Sequence, residues 1–200
     1  KINKIDIDAG ISYEIPFEID EKIAIGPELK FDYEISDDKQ MVVNQIRNVS
    51  VSPQKDKIAF TALNKLYIMD RISGYMIRLT DFEDEITEAM PAWSPDGKEL
   101  VFVTWSDKSG GAIFKVRSDG KRKPILLTKS NDVRLNGVYM NPVWNPNGDK
   151  IVFTMGNERN YKESYRPSAF KSNERIMWIS SNGGKLNYIA ESKCRSYPHF

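Results

Sequence analysis

The sequence predicts an all-β fold, a β-propeller of four-stranded antiparallel blades with three blades, the start of a fourth and an N-terminal β segment. The first observation behind this is a repeated sentence. Met90-Pro91-Ala92-Trp93-Ser94-Pro95-Asp96-Gly97-Lys98-Glu99-Leu100-Val101-Phe102 returns as Asn141-Pro142-Val143-Trp144-Asn145-Pro146-Asn147-Gly148-Asp149-Lys150-Ile151-Val152-Phe153. A weaker copy at residues 48–61 has Val51 in place of the Trp and Asp56 for the turn chemistry, and Tyr197-Pro198-His199-Phe200 begins a fourth. Offsets of 42, 51 and 56 residues are those of a propeller or array, with the growth taken up in loops. The second observation is the plan of each copy. An apolar residue after Pro, a Pro-Asp-Gly or Pro-Asn-Gly turn and an alternating run ending in Phe read as strand, hairpin, strand. A third strand (residues 65–70, 112–117 and 175–180), a second polar Gly turn and a fourth strand (75–80, 124–128 and 186–190) complete a four-stranded blade.

Taken in order, residues 1–43 form an acidic β segment and residues 44–200 a partial propeller, with blades at 44–80, 81–128 and 129–191 and the next blade starting at 192–200. The first 40 residues hold 11 Asp and Glu against 5 Lys. Ile11, Tyr13, Ile15, Phe17 and Ile19 alternate with polar residues, as do Leu29, Phe31, Tyr33 and Ile35, so two half-buried strands are expected, with an edge or bulge at Pro16. Their carboxylates read as a solvated strand face rather than a cation site. The segment is expected to lead into the propeller and pack beside it.

Blade one places Ile58, Phe60, Leu66, Ile68 and Met69 inside, with Met69 and Met76 as gap-filling core. Blade two opens on an acidic loop, residues 81–88, and links its second and third strands through Trp105-Ser106-Asp107-Lys108-Ser109-Gly110-Gly111. The acidic loop lacks the alternate carboxylate spacing and the turn Gly of a calcium loop. Ser109-Gly110-Gly111 reads as a hairpin, since no helix follows to complete a phosphate cradle. Blade three contains the longest irregular stretch, residues 156–174, rich in Arg and Tyr of the kind that anchor recognition surfaces.

In a four-stranded meander the connections alternate between the two ends of the strands. All the tight Gly turns fall at one end, and the long connections (82–90, 105–111, 129–140 and 156–174) all fall at the other. A frame that economises on one face and elaborates the other directs the elaborated face at something. The candidate contact residues on that face are Trp105, Asp107, Arg134, Arg159, Tyr161, Tyr165 and Arg166.

The rest of the chain supplies mainly exclusions. With His199 as the single histidine there is no Ser-His-Asp or Cys-His pair and no zinc-type cluster, so no catalytic residue and no metal ligand is assigned. Cys194 has no disulfide partner within the chain and reads as a stray crossover thiol. The basic residues read as scattered singly, without interleaved aromatics, which argues against nucleic acid. No 18-residue apolar stretch is present, so no membrane span is expected.

Pro-x-Trp-Ser-Pro-Asp-Gly at Trp93 to Gly97, Leu66-Tyr67-Ile68-Met69-Asp70 and Arg78-Leu79-Thr80 resemble the WD40-like (PD40) repeats of the TolB family. Phe60-Thr61-Ala62-Leu63-Asn64-Lys65-Leu66-Tyr67, Val103-Thr104-Trp105-Ser106-Asp107, Ile15-Pro16-Phe17 and Gly26-Pro27-Glu28-Leu29 are similar to the propeller that precedes a metal-dependent amidohydrolase domain in large bacterial proteins. That resemblance implies a non-catalytic module of a larger hydrolase, positioning or gating substrate. Its partners would be the remaining blades and a catalytic domain, with no cofactor in this chain and any divalent metal in that domain. The alternative it leaves open is a non-enzymatic, TolB-like periplasmic interaction propeller. Either way a periplasmic or extracytoplasmic location is implied. Three blades cannot close a ring, so the 200 residues are expected to be part of a longer protein and, in isolation, poorly soluble or oligomeric.

Overall fold

The structure is a computed structural model and describes residues 2–23, 26, 38–128, 137–157, 174–192 and 198–199. The chain divides into two compact units, Lys1–Met41 and Val42–Phe200. In the first, β1 (Ile2–Asp6) pairs antiparallel with β2 (Ile11–Ile15), from Ile2↔Ile15 to Asp6↔Ile11. The Asp6 carboxylate shapes the turn by accepting the N–H groups of Asp8 and Ala9. The expected half-buried alternation is not found, because every residue of both strands is exposed. A two-stranded hairpin has no second layer of its own to bury a face against. β2 also stops at Ile15, so Pro16 interrupts no ladder. The second expected strand, at Leu29 to Ile35, lies outside the described residues.

The second unit is all strand, with no helix among the described residues. Its three sheets run β3-β4-β5-β6, β7-β8-β9-β10 and β11-β12-β13-β14 in spatial order, each an antiparallel meander. Blade one comprises β3 (Ile46–Val51), β4 (Lys57–Ala62), β5 (Lys65–Asp70) and β6 (Met76–Arg78). Blade two comprises β7 (Thr87–Trp93), β8 (Glu99–Ser106), β9 (Gly110–Arg117) and β10 (Ile125–Leu126). Blade three comprises β11 (Gly137–Trp144), β12 (Lys150–Asn157), β13 (Glu174–Ser180) and β14 (Asn187–Ser192). First strands of consecutive blades are neighbours, β3 beside β7 and β7 beside β11. The fourth strands β6 and β10 are largely exposed.

The repeat is a repeat of backbone as well as of sequence. Each first strand breaks register at the same place, between Arg47 and Ser50, Ala89 and Ala92, and Met140 and Val143. The residue at the break has positive φ each time: Asn48 at 52°, Met90 at 55° and Asn141 at 50°. Such a bulge bends the strand and raises its twist. The turn that follows takes its positive φ at Gly97 and Gly148 (72° and 73°). In blade one the same position is Lys55, at 61°, so Lys55 and not Asp56 replaces the glycine. A side chain then closes each turn, Ser52, Ser94 or Asn145 accepting the N–H of Lys57, Glu99 or Lys150.

Trp93 and Trp144 are both buried, 8% and 7% exposed. The indole N–H of Trp93 donates to Ser50 O at 3.0 Å, and that of Trp144 to Ala92 O at 3.1 Å. Each indole therefore ties its blade to the blade before it. Around Trp93 gather Ala59, Leu66, Ile68, Leu79, Leu100, Phe102 and Val116; around Trp144 gather Val101, Val103, Ile113, Leu127, Ile151, Phe153 and Ile179. Burying aromatics of this size is worth about 3–5 kcal/mol each by truncation. One lesser expectation fails: Met76 is 51% exposed rather than core. Val51, in the Trp position of blade one, is 50% exposed. The fourth counterpart, Phe200, lies outside the described residues. His199 is exposed and in no strand among them.

Candidate functional site

The two ends of the blades differ as the chain order requires. At one end lie the hairpin turns 52–56, 94–98 and 145–149, and the outer turns 71–75, 118–124 and 181–186. At the other lie the links 63–64 and 107–109, with the crossover 79–86. That second end is tighter than the sequence suggests. β8 runs to Ser106 and β9 starts at Gly110, so the link containing Asp107 is three residues long. Trp105 is a half-buried strand residue between Thr87 of β7 and Gly111 of β9. The crossover also ends earlier, because β7 begins at Thr87. Of the candidate contact residues, the structure places Trp105 and Asp107 at this end. Arg134, Arg159, Tyr161, Tyr165 and Arg166 lie outside the described residues, as does Cys194.

Beneath the crossover is a charged cluster. Glu88, on β7, is 1% exposed. Its Oε2 accepts the Leu66 N–H at 3.0 Å and the Thr80 hydroxyl. Its Oε1 has no hydrogen-bond partner and stands 4.0 Å from both Lys65 Nζ and Arg78 Nη2. Burial pushes the Glu88 carboxyl above its ordinary pKa, against the opposing pull of Thr80, Leu66, Lys65 and Arg78. The two cations also hold the crossover itself. Lys65 donates to Glu83 O and Ile86 O, and Arg78 to Phe82 O. Nearer the surface, Lys108 Nζ meets Glu85 Oε2 at 2.7 Å, joining the 107–109 link to the crossover. Asp81, Glu85 and Glu88 of the acidic loop thus face separate partners, Lys123, Lys108 and the Lys65–Arg78 pair. Among the described residues no three His, Cys, Asp or Glu side chains converge.

The sequence alone placed Glu88 in the acidic loop at residues 81–88. The missed signal was positional: five residues before the Trp, the three repeats carry Ile46, Glu88 and Tyr139. The third of these is half-buried, with its ring edge-on to Phe153 at 5.6 Å and its phenol pKa raised by burial. A second correction concerns the basic residues. Lys121-Arg122-Lys123 is a run, and the fold gathers it with Lys98, Lys115 and Arg117 around a groove on blade two.

No family model matches the chain. The uncharacterised peptidase YuxL of Bacillus subtilis (strain 168) is 25% identical over 143 residues, 65% of this chain and 20% of that protein. Among solved structures, a TolB protein of Agrobacterium tumefaciens superposes with a TM-score of 0.55 at 22% identity, covering 78% of this chain and 53% of that one. Dipeptidyl peptidase 4 of Porphyromonas gingivalis superposes with a TM-score of 0.53 at 11% identity, covering 79% and 27%. The fold is therefore a TolB-like β-propeller fold. The chain spans a fifth of the length of the peptidase it matches in sequence and about half of the TolB chain. No helix among the described residues is long and apolar enough to cross a membrane.

Proposed function

We propose that the chain is a non-catalytic propeller module of a larger bacterial hydrolase, positioning or gating substrate through the face that carries Trp105 and Asp107. The observation that supports this most is that the blade end carrying Trp105 and Asp107 bears a crossover pinned by Lys65, Arg78 and Lys108. A rigid frame of this kind lets loops present contact residues. The peptidase YuxL and dipeptidyl peptidase 4 favour a hydrolase that cleaves peptide bonds; an amidohydrolase-type parent, whose divalent metal would lie in its own catalytic domain, is the finer reading from the repeat strings. Arg134, Arg159, Tyr161, Tyr165 and Arg166 complete the proposed contact set. The compartment we propose is extracytoplasmic, on the likeness to TolB.

The test is removal of residues 157–172 from the full-length protein, with kcat/KM measured on peptide and small amide substrates. A folded deletion variant with unchanged kcat/KM on every substrate turned over by the parent overturns the proposal. A second reading, a TolB-like interaction propeller without enzymatic activity, is favoured by the superposition on TolB. It predicts no turnover by the full-length protein and co-purification of a protein partner that the same deletion releases.

A further inference from the structure

Blade two carries a groove at the opposite end from the face just discussed, and its chemistry points to a ligand of its own. The groove has a volume of about 260 Å³ and is walled by Lys98, Lys115, Arg117, Arg122 and Lys123. A second depression of similar volume adjoins it, and Arg122 and Lys123 line both. The groove itself holds five cations, Lys98, Lys115, Arg117, Arg122 and Lys123, against Asp96 and Glu99. That local excess of three occurs in a chain whose net charge is +1. Four of the five have a carboxylate near: Lys98 sits 3.8 Å from Asp96, Lys115 3.3 Å from Glu99, Arg117 2.7 Å from Asp119 and Lys123 3.3 Å from Asp81. Arg122 makes no hydrogen bond or ion pair among the described residues and stands exposed on the shared ridge.

The backbone explains why the groove exists. In blade one the outer hairpin closes tightly, with β6 pairing three residues of β5 and Asp70 N donating to Tyr75 O. In blade two only Ile125 and Leu126 pair, with Lys115 and Phe114, so the hairpin stays open from Arg117 to Pro124. The apolar surface that this opening offers is Ile125, 54% exposed on the edge strand, beside the buried core residue Val116.

We propose that this groove binds an extended acidic peptide segment, its carboxylates on Arg122, Lys123 and Lys98 and an apolar side chain between them over the exposed Ile125. The guanidinium fork suits a planar carboxylate. An edge strand with a cationic rim accepts a chain whose side chains alternate in the same way. A phosphate polymer fits less well, since Asp96, Glu99 and Asp81 interrupt the cationic walls and no aromatic lines them for base stacking.

The experiment uses the full chain and a fluorescein-labelled 12-residue peptide alternating Glu and Val, read by fluorescence anisotropy at low and moderate salt. Saturable binding is expected, weakening as salt rises. The exposed double variant R122E/K123E, shown folded by circular dichroism, should lose affinity by about tenfold or more, while K185E on blade three should stay within about twofold. Unchanged affinity in R122E/K123E overturns the site. Equal binding of a Ser-Val peptide overturns the charge argument. Tighter binding of a 12-residue oligothymidylate overturns the assignment to a peptide. None of these outcomes bears on substrate turnover through the opposite face, which is read separately by the loop deletion.

Discussion

The junction between blades one and two and the junction between blades two and three are built on one frame and filled differently at a single position. Both have the first-strand bulge, the indole donating to the previous blade and a core of six or more aliphatic and aromatic residues. Five residues before the indole, however, one junction buries Glu88 and the other packs Tyr139 against Phe153. The neighbours adjust to suit. In the second junction the Ile113 N–H donates directly to the Thr128 hydroxyl. In the first, the corresponding Leu66 N–H and Thr80 hydroxyl both turn to the Glu88 carboxylate. The repeated part of a blade therefore sets distance and angle, and the unrepeated residue decides whether the junction is electrically neutral. Only the neutral junction can be understood from packing alone.

The largest expected effect tests the shared frame. Trp93→Ala and Trp144→Ala should each cost about 3–5 kcal/mol, the loss of a buried aromatic and of its hydrogen bond. Urea unfolding of the two variants measures this, and equal losses would establish the junctions as equivalent at the indole. A loss below about 1 kcal/mol in either would show that its indole does not carry the junction.

Glu88→Ala attacks the difference. It leaves Lys65 and Arg78 facing an apolar void and deprives the Leu66 N–H of its acceptor, at a cost of about 3 kcal/mol, the lower end for a broken buried pair because both contacts are long. Tyr139→Phe, the matching change in the other junction, should cost under about 1 kcal/mol. The pH dependence is also one-sided. Burial raises the Glu88 pKa above its ordinary value of 4.5, so the folded protein holds that proton more firmly than the unfolded chain. The Glu88 contribution to stability is greatest below pH 4.5, falls as pH rises through the raised folded value and is constant above it. Glu88→Gln should remove this slope. Denaturation midpoints of the two proteins, measured from pH 4 to pH 8, report it as their difference; a difference independent of pH would show that Glu88 does not titrate as its burial requires.

The links beneath the crossovers supply a third contrast. Glu88 N donates to Asn64 O where blade one meets blade two. At the corresponding place between blades two and three the chains approach so closely that a Cβ on Gly111 would lie 2.4 Å from Gly137 O. Gly111→Ala should therefore cost about 1–3 kcal/mol by forcing two backbones apart. Asn64→Ala, whose carbonyl is unchanged, loses chiefly its ease at a φ of 60° and should cost about 1–2 kcal/mol. Thermal unfolding of both variants compares the two links.

Much of this frame was legible in the sequence because it is written three times. Trp93 and Trp144, the Gly97 and Gly148 turns and the order of strands follow from alignment of the copies. The charged cluster was less legible, since Glu88 reads locally as one more acid in Glu83-Asp84-Glu85-Ile86-Thr87-Glu88. Only its distance from Trp93 reveals that it points inward. The candidate contact face was legible as a parity of connections, which fixes where Trp105 and Asp107 lie without fixing what they touch. The N-terminal hairpin was misjudged for a different reason. Alternation at Ile11, Tyr13 and Ile15 signals a face suited to burial, yet it carries no information about what would cover that face. The groove on blade two escaped because it depends on a hairpin failing to close, and strand length at an outer edge leaves little trace in residue pattern.

The smallest expected effect concerns the bulge, where the frame itself admits an exception. Asn48 and Asn141 occupy the positive-φ position in blades one and three, and Met90 occupies it in blade two. Asn visits the left-handed region more readily than other residues bearing a Cβ, while an unbranched apolar side chain there is held against a cost of about 1–2 kcal/mol. Met90 also makes two compensating contacts: it packs partly buried against the core behind Trp144, and its sulfur accepts the Asn141 N–H at 3.2 Å. Met90→Asn relieves the backbone cost and forfeits the packing, so the net change should lie within about 1 kcal/mol of zero. If the variant is stabilised, backbone strain outweighs the contact and blade two is the strained member of the series. A loss above about 2 kcal/mol would instead make Met90 part of the junction's core, a third residue, beside Trp144 and Tyr139, through which the second and third blades hold together.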